Sequence, residues 1–363
     1  MTEAEYFRYE QMKTVAAYRD SLRNNPRLFY LFFELTDKCN MACLHCGSNC
    51  KTGNHTFLPK EEIYKVLGEV SANYGADKIM ICLTGGEPML HPDFYEIIGY
   101  IKKMGFGWGM TSNGTLIDEA AALKLAEAHM GSISISLDGL ETDHNYLRNR
   151  KDAFRMAISG IEDLLSCEAY DGILQVTTVV HKKNLDKLDE IYALLCDMGV
   201  KDWRLTNIDP IGRTLDNQNL LLDHDEFIRM LRYIKRRRFD TFSQVEVTYG
   251  CAHYLTAEWE RMTRDNYFFC GAGLNVAGIL CNGDICSCLD IERRPELIQG
   301  NVKTDHFVDV WEKKFQIYRK DRTEECQMCR ECKDRVVCGA DSYHTWDFER
   351  QEPRICLKYG RFL

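Results

Sequence analysis

Three cysteines near the start of the chain, Cys39, Cys43 and Cys46 in the run Cys-Asn-Met-Ala-Cys-Leu-His-Cys, are the residues best suited to chemistry. Thiolates at this CxxxCxxC spacing can hold three irons of a four-iron cluster and leave the fourth iron open to a substrate or cosubstrate. Structural zinc takes four tetrahedral ligands, usually as two CxxC-like pairs, and a redox dithiol needs only one CxxC. The competing reading is therefore a zinc loop completed by Cys50 or by a distant residue. A second group closes the chain: Cys270, Gly283 and Cys288, then Cys326, Cys329, Cys332, Cys338 and Cys356. Its soft thiolates suit iron–sulfur clusters, and its CxxCxxC run also suits a zinc ribbon.

The triplet directly follows an apolar, β-rich stretch from Leu28 to Leu35, which places it just past the C-terminal end of a first strand. In barrel-like α/β folds that end is the active face. Strand-like segments Phe29–Leu35, Lys78–Leu83, Trp108–Thr111, Ser132–Leu137, Leu174–Val180 and Trp203–Ile208 alternate with helix-like segments Glu61–Asn73, Pro92–Lys103, Glu119–Ala128, Asp152–Leu165 and Leu185–Asp197. Alternation of this kind specifies βα units around a parallel sheet. Residues before Pro26 read as a polar helical lead-in, and a helix from Asp223 to Lys235 precedes a boundary near Phe239 to Val245. The expected partition is 1–28, 29–240 and 241–363.

Composition bounds the rest. The 363 residues, 45% of them hydrophobic, can bury one large core or two ordinary ones. No apolar run reaches the length of a membrane span, and the N-terminus has neither the basic flank nor the hydrophobic core of a secretion signal, so the expected location is the cytoplasm. In that compartment 17 cysteines point to metal or redox cofactors rather than disulfides. Cys50, Cys82, Cys167 and Cys196 are scattered and read as small buried hydrophobes. A net charge of -9 argues against a nucleic-acid partner, and the basic run Lys235 to Arg238 reads as the solvated end of a helix.

Behind the triplet come Thr84-Gly85-Gly86-Glu87-Pro88, then Thr111-Ser112-Asn113-Gly114-Thr115, then Ser134-Ile135-Ser136-Leu137-Asp138-Gly139, each at a strand end. In this order and spacing the chain resembles the radical S-adenosylmethionine (SAM) enzymes, whose fold is a partial (β/α)6 TIM-like barrel. The resemblance implies that Gly85, Gly86, Glu87 and Pro88 hold the SAM amino group, that Ser112, Asn113, Ser136 and Asp138 stand at ribose-binding positions, and that Arg148 meets the SAM carboxylate. Paired glycines would let backbone approach that ligand closely. The C-terminal pattern is similar to the SPASM extension, a small cysteine-rich α+β domain with up to two auxiliary 4Fe–4S clusters. By that match Cys329, Cys332, Cys338 and Cys356 ligate a distal cluster, and Cys270 and Cys288 begin a nearer one. Where the pattern has a further cysteine, three residues beyond Cys338, this chain has Asp341 and Ser342. Cys326, Cys251, an oxygen ligand or an open iron would have to fill that place.

The implied activity is reductive cleavage of SAM to a 5′-deoxyadenosyl radical that abstracts hydrogen from a substrate, with an external one-electron reductant such as flavodoxin or ferredoxin. The leading expectation is modification of a ribosomal peptide by oxidative thioether or carbon–carbon cross-linking, with direct leader binding or a separate peptide-recognition protein. The alternatives are a peptide epimerase with Cys251 as hydrogen donor, a formylglycine maturase, and a small-molecule enzyme of cofactor, tetrapyrrole or carbohydrate biosynthesis. A noncatalytic electron-transfer protein would have no need of a SAM site.

Overall fold

A computed structural model describes residues 2–50, 55–250 and 253–362. Its centre is a ten-stranded sheet in the order β10-β9-β8-β1-β2-β3-β4-β5-β6-β7. Strands β1 (Tyr30–Glu34), β2 (Met80–Thr84), β3 (Gly107–Ser112), β4 (Ser132–Ser136), β5 (Ile173–Val180) and β6 (Asp202–Asn207) run parallel and adjacent in chain order. The crossovers are helices, as parallel strands require: α2 (Lys60–Tyr74), α3 (Phe94–Met104), α4 (Glu119–Glu127), α6 (Ala153–Ser166) and α7 (Leu188–Met198). Between β4 and α6 lies an additional helix, α5 (Glu141–Arg148), which the sequence reading had not separated.

The strands sort their residues by period two. Leu31 and Phe33 of β1, Ile81 of β2, Trp108 of β3, Ile133 and Ile135 of β4, Val176 of β5 and Trp203 of β6 are almost fully buried in the main apolar core, which the helices cover. Their alternates, among them Phe32, Cys82, Thr111, Ser134, Gln175 and Arg204, line an internal cavity of about 640 Å³ on the opposite face. The sheet thus curves around a lumen whose wall is more polar than its outer layer.

Both edges of the six-stranded core are extended by residues beyond 240. Strand β7 (Glu246–Tyr249) pairs parallel with β6, and β8 (Val276–Ile279) pairs parallel with β1. From β8 the chain returns antiparallel through β9 (Asp284–Cys286) and β10 (Gly300–Asn301). The boundary expected near residue 240 therefore divides a continuous sheet. A buried ion pair reinforces the junction: Glu34 of β1, 1% exposed, receives both guanidinium nitrogens of Arg293 at 2.8 and 2.9 Å and the Cys281 amide at 3.3 Å.

The lead-in is helix α1 (Glu3–Asn24), started by a Thr2/Glu5 capping box. Its buried stripe of Met12, Ala16, Arg19 and Leu22 docks it on the C-terminal part, where Met12 packs with Tyr254, Phe268 and Val337, and Arg19 donates to the Val336 carbonyl at 2.9 Å. Helix α8 (His224–Arg238) ends in the basic run, with Arg236 and Arg237 paired to Asp189 and Arg238 to Asp265, so that run is a helix terminus matched by acids. No helix among the described residues is long and apolar enough to cross a membrane.

Arg293→Ala removes the partner of a buried carboxylate and is expected to destabilise the chain by about 3–5 kcal/mol, because the Glu34 charge is stranded. Glu34→Gln in the same background should restore part of that loss. Thermal unfolding of the three proteins under anaerobic conditions checks both statements.

Candidate active site

The cysteine loop lies against the C-terminal ends of β1 to β4, where the sheet's connections converge. Cys39, Cys43 and Cys46 pack together around Met41 and Ala153. Burial pushes the Cys39 thiol up to about 12 and raises Cys43 as well, although the Arg148 guanidinium pulls Cys43 the other way. Cys46 alone is favoured as a thiolate: a hydrogen bond from the Cys50 side chain brings it down to about 6 against the effect of burial, and the Cys50 amide donates to its sulfur at 3.4 Å. Cys50 is thus a fourth thiol at the loop rather than a scattered core residue. Three adjacent thiols, Cys43 buried and Cys39 and Cys46 half-buried, two of them poor thiolates on their own, need a cation to ionise together. Preformed donors await that charge: Arg148 Nη1 lies 3.7 Å from Cys43 Sγ and Asn113 Nδ2 4.0 Å from Cys39 Sγ. The buried Nδ1 of His45, in the loop itself, has no hydrogen-bond partner. The loop fits a four-iron cluster held by three thiolates.

Arg148 occupies the last turn of α5, where a cation suits the helix dipole. Its Nε donates to Asp138 Oδ2 at 2.6 Å, and the other carboxylate oxygen accepts from the Val179 amide at 3.0 Å. Asp138 is completely buried. Burial would raise its pKa, but the Arg148 guanidinium outweighs that and holds it well below the usual carboxylate range. His144, pushed down to about 4 chiefly by burial, stays neutral and accepts from the Asp138 amide at 2.9 Å. In this structure each oxygen of Asp138, expected at a ribose-binding position, accepts one hydrogen bond, and the carboxylate orients Arg148. Arg148 in turn is aimed at Cys43, a partner that its sequence position had not suggested.

The segment from Gly85 to Pro88 is pressed against the cysteine loop. A Cβ on Gly85 would stand 2.6 Å from the Thr36 carbonyl oxygen, and one on Gly86 would stand 2.1 Å from that of Lys38. The glycines are needed where this backbone presses on the start of the cysteine loop, with Gly86 N donating to Thr36 O at 2.7 Å and Glu87 N to Lys38 O at 2.9 Å. Glu87 is fully buried and accepts from Ser112 Oγ at 3.0 Å, Asn113 N at 2.9 Å and Met89 N at 3.4 Å. Burial raises it to about 7 despite those donors. Pro88 opens the short turn that follows. Asn113 continues the network to Asn40 at 2.8 Å, and Asn40 reaches Thr115 at 2.8 Å. Ser112 and Asn113 thus bind β3 to the loop, whereas Ser136, half-buried at the end of β4, takes no part in this network.

The Asp209–Arg213 turn after β6 closes the other side of the loop. Arg213 donates to the carbonyls of Cys43 and Cys50 at 2.8 and 2.7 Å, and a Cβ on Gly212 would stand 2.4 Å from that of Cys46. No spacing in the sequence indicates that this turn grips the cysteines. Gly85 and Ser48 lie on the wall of the 640 Å³ cavity, which has the size of a small-molecule site and begins at the loop.

Farther from the loop, Cys329, Cys332, Cys338 and Cys356 come together from separate segments around one small cavity, also bounded by Tyr254 and Asp341. Backbone amides are aimed at two of these sulfurs: Asp341 N at 3.2 Å from Cys338 and Asp334 N at 3.4 Å from Cys332. That donor set fits a second cluster. Cys326 is not on the cavity wall and instead caps the helix that carries Cys329. Cys270 packs with Met12, Phe268 and Val337, while Cys288 stands at the lumen. Cys281 and Cys286 are buried. Cys251 lies outside the described residues.

Asp138→Asn should leave Arg148 buried without its partner and cost about 3–5 kcal/mol. Because the folded-state pKa of Asp138 is depressed, its stabilisation is complete above about pH 4 and decays as pH falls below that. The difference between wild type and variant, followed by urea unfolding of the apoprotein, is therefore constant from neutral pH to about 4 and shrinks in stronger acid.

Comparison with known proteins agrees with this arrangement. Residues 33–195 match the Radical SAM superfamily, and residues 270–333 match SPASM, described as an iron-sulfur cluster-binding domain. The AdoMet-dependent heme synthase of Methanosarcina barkeri is 26% identical over 94% of this chain and 99% of its own length. Mycofactocin maturase MftC of Mycolicibacterium smegmatis is 28% identical over 78% and 69%. Among solved structures, Streptococcus suis SuiB bound to S-adenosylmethionine superposes with a TM-score of 0.71 at 17% identity, over 92% of this chain and 77% of SuiB. Both domains being matched in order, the chain carries a radical SAM domain followed by a C-terminal SPASM domain, and its cofactors are 4Fe–4S clusters and S-adenosylmethionine.

Proposed function

We propose that this enzyme abstracts a hydrogen atom from a peptide and completes an oxidative modification, forming a thioether or carbon–carbon cross-link. The observation that carries this reading is the pairing of a lumen at the cysteine loop with a separate four-cysteine cavity in the same molecule. When bound, SAM and its cluster supply a 5′-deoxyadenosyl radical by reductive cleavage, and an auxiliary cluster supplies an acceptor for the electron that an oxidation must shed. On this reading Cys39, Cys43 and Cys46 hold the first cluster, and Cys329, Cys332, Cys338 and Cys356 the second.

The remaining work falls to this chain's own residues. Arg148, fixed by Asp138, donates to Cys43 and keeps its negative charge tolerable in a buried site. Glu87 clamps the ends of β2 and β3 beside Cys39, so the loop and the lumen wall keep one geometry. The lumen's small polar side chains, Thr111, Ser132, Ser134 and Gln175, leave room for extended backbone and can hydrogen-bond to it. We place the radical-forming part at 29–240 and the auxiliary part at 241–363, joined through β7 and β8. The maturase named among the relatives and the SuiB structure bound to the precursor peptide SuiA support a peptide substrate.

A second reading, a haem-type tetrapyrrole substrate, is favoured by the heme synthases among the relatives and by Arg204, whose side chain is on the lumen wall where it could receive a carboxylate. Mass spectrometry separates the two. Short peptides encoded beside the gene, co-expressed anaerobically with the enzyme in heavy water, should lose two hydrogen masses. Deuterium gain alone would mean epimerisation, and unchanged peptides together with conversion of a carboxylate-bearing iron porphyrin would establish the second reading. In Cys332→Ala we expect SAM cleavage to persist while the oxidised product falls at least about tenfold, as when an interaction used only in the later step is removed.

A further inference from the structure

At the mouth of the lumen a third set of ligands converges. The Sγ of Cys288, a carboxylate oxygen of Asp290 and a ring nitrogen of His344 all lie within 4.8 Å of one another. Cys288 and Asp290 are on the wall of the lumen. We infer that Cys288, Asp290 and His344 bind a single divalent transition-metal ion such as zinc, with its fourth position open to the lumen for an anionic or thiolate donor of the substrate.

The spacing separates this site from a second auxiliary cluster. The protein ligands of a four-iron cluster bind different irons, so they are spread over the corners of a large group. A single tetrahedral ion, bound to sulfur at about 2.3 Å and to nitrogen at about 2.05 Å, sets its two ligands roughly 3.6 Å apart. The observed separation of Cys288 Sγ and His344 Nε2 is 3.7 Å. Of the residues that a nearer cluster would recruit, Cys270 packs both in the apolar group around Met12 and against the main core, and Ser342, at the position of the missing cysteine, accepts from the His344 amide at 3.2 Å and starts the turn that carries His344.

A second, independent feature is the support behind the histidine. His344 Nδ1 faces Asp209 Oδ2 at 3.4 Å, and the other Asp209 oxygen lies 2.8 Å from His253 Nε2. A carboxylate on the far nitrogen fixes the tautomer that presents Nε2 as a lone-pair donor and raises its basicity, which is the usual outer support of a metal-bound histidine. Asp209 follows β6 in the same turn that grips the cysteine loop, so the site is built on the barrel side as well as the C-terminal side. Three protein ligands plus an open position facing a cavity is the arrangement of a reactive rather than a structural zinc site.

The test uses the enzyme with its clusters reconstituted anaerobically, exposed to Zn²⁺ and then freed of unbound ion. Wild type should keep about one zinc per chain, and absorption at the zinc edge should resolve one sulfur near 2.3 Å with nitrogen and oxygen near 2.0–2.1 Å. His344→Ala and the milder His344→Gln should both lose that zinc with iron and sulfide unchanged, which also reports that the variants are folded. Three results overturn the inference: no zinc retained by wild type, a zinc surrounded by several sulfurs, or a loss of four irons in Cys288→Ala. The first would leave Cys288 and His344 as a hydrogen-bonded pair, and the last would restore the nearer cluster.

Discussion

Ionising three thiols side by side, one buried and two half-buried, is the constraint on which the rest of the site depends. Burial disfavours each thiolate, and each disfavours the next, so the loop is stable as a cluster ligand only where positive charge and hydrogen-bond donors are fixed in advance. Arg148 meets that need, and Arg148 is itself expensive to bury. Asp138 offsets its charge, His144 and the Val179 amide hold Asp138, and the strand ends of β4 and β5 hold those groups in turn. The order of the sheet is thereby tied to the chemistry, because the arginine and its aspartate reach the loop only if β4 and α5 lie where the parallel crossovers set them.

The same economy governs the junction with the C-terminal part. Rather than attaching through a linker, the chain returns to the barrel by adding β7 at one edge and β8 at the other, which satisfies backbone groups that would otherwise be exposed. The Glu34–Arg293 pair and the docking of α1 then leave little freedom between the lumen and the four-cysteine cavity. Fixed placement matters for electron transfer between cofactors, and the lumen's position next to the cysteine loop and to Cys288 puts a bound substrate within reach of both parts.

Much of this was legible in the sequence. The alternation of apolar strands with amphipathic helices located all six core strands to within two residues at either end, since period-two and helical patterns are local properties. The resemblance to the SPASM extension grouped Cys329, Cys332, Cys338 and Cys356, and these four surround one cavity. What could not be read was which neighbour each polar group would find. Glu87 and Asp138 carry the signature of ligand-facing carboxylates, yet both are buried, one clamping β2 to β3 and the other holding an arginine. The glycine pair signalled a close backbone approach correctly, but the backbone approached is the loop's own. Asp290 and His344 had no motif, because their meeting with Cys288 depends on a turn starting at Ser342 and on a barrel residue more than a hundred positions earlier, Asp209. Short α5 escaped notice because its polar sequence lacks a continuous apolar stripe.

The central claim is that the loop at Cys39, Cys43 and Cys46 holds the cluster at which SAM is cleaved, separately from the cluster at Cys329, Cys332, Cys338 and Cys356. Electron paramagnetic resonance of the reduced enzyme with and without SAM tests it most directly, with iron counted in each sample. The account predicts that Cys39→Ala/Cys43→Ala/Cys46→Ala loses four irons and every SAM-dependent change in the spectrum, whereas Cys329→Ala/Cys332→Ala also loses four irons but keeps the SAM-sensitive signal. A SAM-sensitive signal that survives in the first variant, or disappears only in the second, would contradict it.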